Sequence, residues 1–424
     1  MFNKYDAYKD SGVQWIDEIP SEWSVLRAKN FFNFRKIINS KYQCDNVLSL
    51  TLRGVVNNSF DNPEGLIPKD YATYQIFNKN DLVFKLIDLE NISTSRIGLV
   101  HEKGIMSPAY IRLECKETVI PKFAYYYFYN LYLQTVFNKL GAGVRSTLSP
   151  KDLLELPYLH LCKEQQIKIV DFLDQKNLEI DQAIAIKQQQ IALLNERKQI
   201  VIQKAVTQGL NPNVAMKDSG VEWIGQIPEH WTVKKLKYVL QERSERSQDG
   251  LEPLLMMSQV HGLVIRSEYS EKTEVAATTV GNKLVYKNDL VFNKLKAHLG
   301  VFFSSVHDFA GCVSPDYAVY DCVNYIENTK FLELLFRNPL YIKQFILRSS
   351  GIVEGLIRLY TTELFDLKIG IPPKDEQMAI LKHIEEQSFR FDEAVKNYSE
   401  QIEKLKEYKT TLINDAVTGK IKVA

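Results

Sequence analysis

The chain is written twice, and this duplication constrains its fold more than any other feature. Residues 9–23 read KDSGVQWIDEIPSEW and residues 217–231 read KDSGVEWIGQIPEHW; ten of the fifteen positions agree at an offset of 208. The same offset pairs KNDLVF at 79–84 with KNDLVF at 287–292. It also pairs Lys122, Phe123, Phe128, Asn130 and Phe137 with Lys330, Phe331, Phe336, Asn338 and Phe345. Ser107, Pro108 and Tyr110 match Ser314, Pro315 and Tyr317 at an offset of 207. Further on the offset is 211, where Lys163 and Gln166 match Lys374 and Gln377, and Ala205-Val206-Thr207 matches Ala416-Val417-Thr418. Solenoid repeats run to roughly 20–50 residues. A unit of about 210 residues is far larger, so the chain is a tandem duplication of a whole structural unit.

Each copy has two parts. The first, about 160 residues, is rich in aromatic and β-branched residues and in turn signals. KNDLVF predicts a turn followed by a buried strand. Aromatic residues spaced three and four apart predict helices over 122–140 and 330–348. Together these imply a compact α+β globule, with the Trp-Ile-x-x-Ile-Pro-x-x-Trp opening packed on it as a clamp. The second part has neither proline nor glycine and predicts one long helix, over 163–208 and again over 374–418. Apolar residues recur three and four apart at Ile180, Ile184, Ile191, Leu194, Val201 and Ala205. The copy repeats them at Phe391, Val395, Ile402, Leu405, Leu412 and Ala416, each 211 further on. This is a heptad seam. A helix of about 45 residues is about 65–70 Å long, and with one apolar stripe it needs a partner. The nearest partner is its own copy. The expected fold is therefore two pseudo-twofold-related α+β globules separated by two long helices in an antiparallel coiled coil. Its divisions are 1–160, 161–212, 213–371 and 372–424. An antiparallel return also brings Ala424 near Met1.

Composition excludes several function classes. Lys+Arg 53 against Asp+Glu 52 leaves a net charge of +1, so this is no polybasic nucleic-acid binder. No apolar run approaches the ~20 residues of a membrane span. The first ten residues contain no apolar signal core, which points to the cytoplasm. The five cysteines show no CxxC pairing and read as free thiols; no metal or cofactor is expected. Asn338-Pro339-Leu340-Tyr341 approaches the loop that grips a flipped base in amino-methyltransferases, but its third residue differs and the first copy reads Asn130-Leu131-Tyr132-Leu133. Helix punctuation is the simpler reading. Glu114-Cys115-Lys116 approaches half of a nuclease core, yet its copy is Asp321-Cys322-Val323. A strand end explains both. His298 and His307 form no metal-ligand spacing. With no catalytic constellation, the chain reads as a binding protein.

Two equivalent readers at fixed spacing suit a two-part DNA site, because half-site spacing mirrors protein symmetry. The copies diverge outside their anchors, which predicts two different half-sites. At this point the chain resembles the specificity subunits of type I restriction–modification enzymes. The resemblance rests on five anchors repeated in order. These are the Gly-x-x-Trp-Ile-x-x-Ile-Pro-x-x-Trp openings, the Ser-Pro-x-Tyr segments, the Lys-x-x-Gln helix starts, the Ala-Val-Thr helix ends, and the Gly-Leu-Asn-Pro and Gly-Lys-Ile that follow them. One departure is that Ile371-Pro372-Pro373 precedes the second helix whereas Leu161-Cys162 precedes the first. The resemblance implies that the globules are target-recognition domains for double-stranded DNA. It implies that the helices are a spacer docking two methyltransferase subunits, which a restriction subunit joins. The chain itself would be non-catalytic; a stand-alone tandem nuclease or methyltransferase is the rival reading. The candidate DNA contacts are Arg53, Lys85, Arg96 and Arg145 in the first copy. In the second they are Arg266, Lys294, Lys296, Arg358 and Tyr360.

Overall fold

A computed structural model describes residues 2–59, 70–90, 95–141, 147–259, 261–269, 278–351 and 357–423. The chain forms two compact units, residues 1–188 with 399–424, and residues 189–398. Neither unit is simply one copy of the repeat. Each is completed by half of both long helices, whose apolar residues bury against the globule as well as against the other helix.

In the first unit, strands Phe32–Phe34, Ile111–Cys115, Leu82–Phe84 and Ile97–Leu99 lie in that order in an antiparallel sheet. A helix, Pro121–Leu133, packs on it through Phe128, whose ring lies 5.4 Å from Phe32 and 5.2 Å from Phe84. A second sheet carries Gly54–Asn58, Val47–Thr51, Gly104–Met106 and Gln75–Phe77. In the second unit, the counterpart of the first sheet is Leu240–Glu242, Tyr317–Cys322, Leu290–Asn293 and Phe302–Ser304. The fold is thus mixed helix and sheet in both units, as the aromatic and turn pattern indicates.

KNDLVF forms the same turn and strand in both copies. Asn80 and Asn288 take left-handed backbone, at φ 72° and 67°, a conformation asparagine tolerates. Asp81 and Asp289 then close the turn, accepting from the backbone N–H of Asn78 (2.6 Å) and Tyr286 (2.7 Å). The two expected aromatic helices are each broken. The first splits at Thr135, left-handed at φ 57°, into Pro121–Leu133 and Val136–Leu140. The second splits into Lys330–Phe336 and Pro339–Arg348, where Asn338 caps the new helix by accepting from the Leu340 N–H at 2.9 Å. The Asn-Pro-Leu-Tyr segment is therefore helix punctuation. Glu114-Cys115 ends a strand.

The long helices span Lys163–Gln208 and Lys374–Val417. The glycine after each has a structural cause. Gly419 is left-handed at φ 75°, and a Cβ there would stand 2.5 Å from Pro20 of the opening clamp; a left-handed glycine is the common way to end a helix. Both inner tryptophans, Trp23 and Trp231, are fully buried.

Candidate nucleic-acid interface

The repeated anchors meet where helix joins globule. Gln166 is buried at the start of the first long helix. Its amide N–H groups donate to the carbonyls of Leu161 (3.0 Å) and Thr118 (3.1 Å), and its oxygen accepts from the Ile120 N–H (2.8 Å). Gln377 makes the equivalent set with Pro372 (2.9 Å), Tyr325 (2.8 Å) and Glu327 (3.1 Å). The Lys-x-x-Gln anchor therefore pins each helix to the loop before the aromatic helix of its globule. The change from Leu161-Cys162 to Pro372-Pro373 leaves this pin unaltered, because it uses only main-chain carbonyls.

The seam residues lie inside the units. In the first, Ile180 and Ile184 share one core with Leu405, Leu412, Ile413 and Ala416. Lys409 pairs with Asp181 at 2.7 Å and Lys187 donates to Gln401 at 2.5 Å, so these helix segments run antiparallel. Ile402 is also buried. In the second unit Ala205 and Val206 join a core containing Ile380 and Ile384, and Lys198 pairs with Asp392 at 2.7 Å. Ile191, Leu194, Val201, Phe391 and Val395 are half-buried. At the chain ends, Lys422 donates its N–H to the carbonyl of Asn3 at 2.7 Å; Met1 and Ala424 lie outside the described residues.

The candidate DNA contacts occupy very different environments. Arg53 is exposed at the turn between two strands of the second sheet, beside an open groove lined by Asn57, His101, Lys122 and Tyr125. Lys85 and Arg96 are brought together, the Lys85 N–H donating to the Arg96 carbonyl at 3.0 Å. Arg96 is 2% exposed and donates to the carbonyls of Ile87 (3.3 Å) and Asp88 (2.8 Å). Unlike the other described candidate contacts, Arg96 turns its guanidinium inward, where it shapes the loop from inside. Burial pushes the Arg96 guanidinium down, and burial with the Arg96 charge pushes Lys85 down. Arg145 lies outside the described residues.

In the second unit Lys294, Arg358 and Tyr360 converge. The N–H of Leu359, between the latter two, donates to the Lys294 carbonyl at 3.0 Å. Tyr360 is 49% exposed at the start of the Thr361–Phe365 helix. Lys296 is exposed in the neighbouring turn, and Arg266 follows the Gly262–Ile265 strand. Lys294 is held by Glu242, at 3.4 Å. Glu242 also takes Lys283 at 3.1 Å and the Thr361 hydroxyl at 2.9 Å. Burial alone would raise the Glu242 carboxyl, but the Thr361 and Lys283 hydrogen bonds and the two ammonium charges hold it below its ordinary value. Neither Glu242 nor Lys283 stands out in the sequence; aligning the two copies and asking where chemistry changes would have found them. The His307 ring meets the Leu263 carbonyl at 3.0 Å, and the His298 side chain lies outside the description. Among the described residues no cluster of three metal-ligating side chains occurs, and no helix is long and apolar enough to cross a membrane.

The mixed helix-and-sheet fold with two long helices is similar to that of solved subunits of type I restriction–modification systems. A chain from a type I system, solved to explain complex assembly and conformational transition, superposes with a TM-score of 0.66 at 12% identity, covering 94% of this chain and 98% of that one. The HsdS subunit from Thermoanaerobacter tengcongensis superposes at 0.53 with 13% identity, covering 95% and 98%. In sequence, the chain resembles the type I restriction enzyme MjaVIII specificity subunit of Methanocaldococcus jannaschii, 24% identical over 96% of this chain and 94% of that one. The putative MjaX specificity subunit of the same organism is 23% identical over 100% and 98%. No family model matches.

Proposed function

We propose that this chain is the DNA-specificity subunit of a type I restriction–modification complex, acting in the cytoplasm. It carries sequence choice and no chemistry; its partners methylate and cut. The observation that carries this reading is the end-to-end likeness to specificity subunits together with a duplicated scaffold whose recognition loops have diverged. On this reading residues 1–160 and 213–371 are two target-recognition domains, and 161–212 and 372–424 are spacer helices. The pseudo-twofold copies would present different surfaces to the two halves of an asymmetric split target.

Two methyltransferase subunits dock on the helices, and restriction subunits join through them. In support, Leu178 of the first helix and its equivalent Phe389 of the second are 60% and 63% exposed, the kind of apolar surface that marks an interface. With a net charge of only +1, the partners supply much of the phosphate neutralisation, which makes affinity salt-dependent.

The test is selection from a randomised duplex pool, using the chain co-purified with its methyltransferase. A split motif with a fixed gap is expected. Inserting one helical turn, about four residues, after Gln188 and again after Ser399 lengthens the gap and leaves both half-sites intact. Selection of no motif by a folded complex refutes the function, and changed half-sites refute the spacer role.

A further inference from the structure

One position in the fold carries opposite chemistry in the two units. In the second unit it is the ionic cluster in which Glu242 holds Lys283, Lys294 and Thr361, with the Tyr320 hydroxyl 3.1 Å from that of Thr361. The copy offsets of 208, 207 and 211 give the equivalents in the first unit. Glu242 corresponds to Phe34, Lys283 to Gln75, Lys294 to Leu86, Tyr320 to Leu113 and Thr361 to Pro150. Every ionic member has become neutral, and most have become apolar.

The frame around the position is unchanged. Leu148 donates its N–H to the Leu86 carbonyl at 3.0 Å, and Leu359 donates to the Lys294 carbonyl at 3.0 Å. Strand pairing matches too: Leu82 faces Leu113 and Leu290 faces Tyr320. In the first unit the position is an open cleft of about 260 Å³ lined by Phe34, Leu86, Ile87, Pro108 and Tyr110. Phe34 is 43% exposed and Ile87 37%. Lys36 stands on the rim, donating to the Pro108 carbonyl at 2.9 Å.

A position that served only packing would keep its chemistry when its frame is kept. This one keeps the frame and exchanges the chemistry, and in both units side chains remain open to solvent. We propose that this cleft reads base edges: the apolar cleft around Phe34 takes the C5-methyl of a thymine, and the Glu242–Lys294 cluster takes a G·C pair. The inference rests on the specificity-subunit reading and deepens it. The chemistry follows the major-groove pattern. Thymine alone offers a methyl, which suits the exposed Phe34 and Ile87. A carboxylate accepts from the cytosine amine, and an ammonium donates to guanine O6 and N7. Glu242 and Lys294 already lie side by side, so the cluster offers an acceptor and a donor together.

The experiment uses the full chain co-purified with its methyltransferase. Selection first identifies the half-sites. Uracil, which lacks the methyl, then replaces each thymine in turn. Weakening of about four-fold is expected at a thymine of one half-site only, the effect of one methyl leaving an apolar contact. Phe34→Ser is expected to abolish that uracil effect and relax the same half-site. Glu242→Gln is expected to relax a G·C position of the other half-site, with the gap and the first half-site unchanged. Uracil substitution without effect in either half-site overturns the assignment, as does a Glu242→Gln complex whose selected motif equals the wild type's. A wild-type complex that selects no motif overturns the specificity-subunit reading itself, and this assignment with it.

Discussion

Gln377 offers a direct test of how helix and globule are joined. It is fully buried, and its side chain makes three hydrogen bonds to main-chain groups. Gln377→Leu keeps nearly the same volume and removes all three. The carbonyls of Tyr325 and Pro372 and the N–H of Glu327 then lose their side-chain partner. Each lost bond costs about 1 kcal/mol net, and a stranded buried group about 1–3 kcal/mol. The expected loss is therefore about 3 kcal/mol at the low end. In a cooperative unit of this size, 1 kcal/mol moves the midpoint by about 2–4 °C, so calorimetry of the full chain should read a fall of about 6–12 °C. Gln377→Glu should do at least as much damage, because it turns the two donors toward two carbonyls into an acceptor. Gln166→Leu should match Gln377→Leu closely, since its three bonds are the same in kind and length. A fall below about 2 °C for both leucine variants would refute the reasoning: it would mean that water enters the junction and replaces the amide.

Lys198→Ala and Lys409→Ala should each cost less than about 1 kcal/mol by chemical denaturation, because partners Asp392 and Asp181 are 63% and 58% exposed and screened. The Glu242 carboxyl is held below its ordinary value of 4.5, so its contribution is complete above that pH and is lost as pH falls through the lower folded value. Glu242→Gln should thus be less stable than wild type at neutral pH, with the difference vanishing in acid, as urea titrations across pH would record; a difference independent of pH contradicts the assignment. Finally, Arg112→Val should cost less than the roughly 3–5 kcal/mol of a broken buried pair, because the exposed Arg35 stands at the position from which Arg243 holds Asp289 in the other unit. Adding Arg35→Ala should expose that cost, and strict additivity in the double-mutant cycle would exclude the rescue.

Much of the fold was legible in the sequence because duplication doubles every signal. The long helices were readable from their heptads and from the lack of proline and glycine, and their observed ends fall within a residue of those expected. The turn and strand of KNDLVF were equally plain. The breaks at Thr135 and Asn338 were less so: a left-handed threonine has no strong sequence mark, although Asn-Pro at 338–339 does signal a new helix start. The interface was the least legible part. Whether an arginine faces solvent depends on the loop around it, and Arg96 turns inward because the carbonyls of Ile87 and Asp88 need donors. Glu242 and Lys283 carry no signature as single charged residues; only the exchange for Phe34 and Gln75 between the copies marks them, and tertiary contact then groups them.

The aspartate of KNDLVF shows how the duplicated unit tolerates divergence. In both copies it closes the same turn and sits buried, so in both it needs a cation. The first unit supplies Arg112 from the middle of the sheet, with its Nε and Nη2 at 2.5 and 3.2 Å. The second supplies Arg243 from the end of a neighbouring strand, both nitrogens at 3.0 Å. The residue equivalent to Arg112 there is Val319, and the residue equivalent to Arg243 in the first unit is Arg35. The need is fixed by the turn, whereas the donor is free to move, because a long guanidinium reaches the same carboxylate from either strand. In the first unit Arg35 keeps arginine at the Arg243 position, exposed, with its carbonyl 3.5 Å from the Arg112 guanidinium. A donor that can move between strands in this way lets the sequence around a fixed turn change chemistry while the buried carboxylate stays paired.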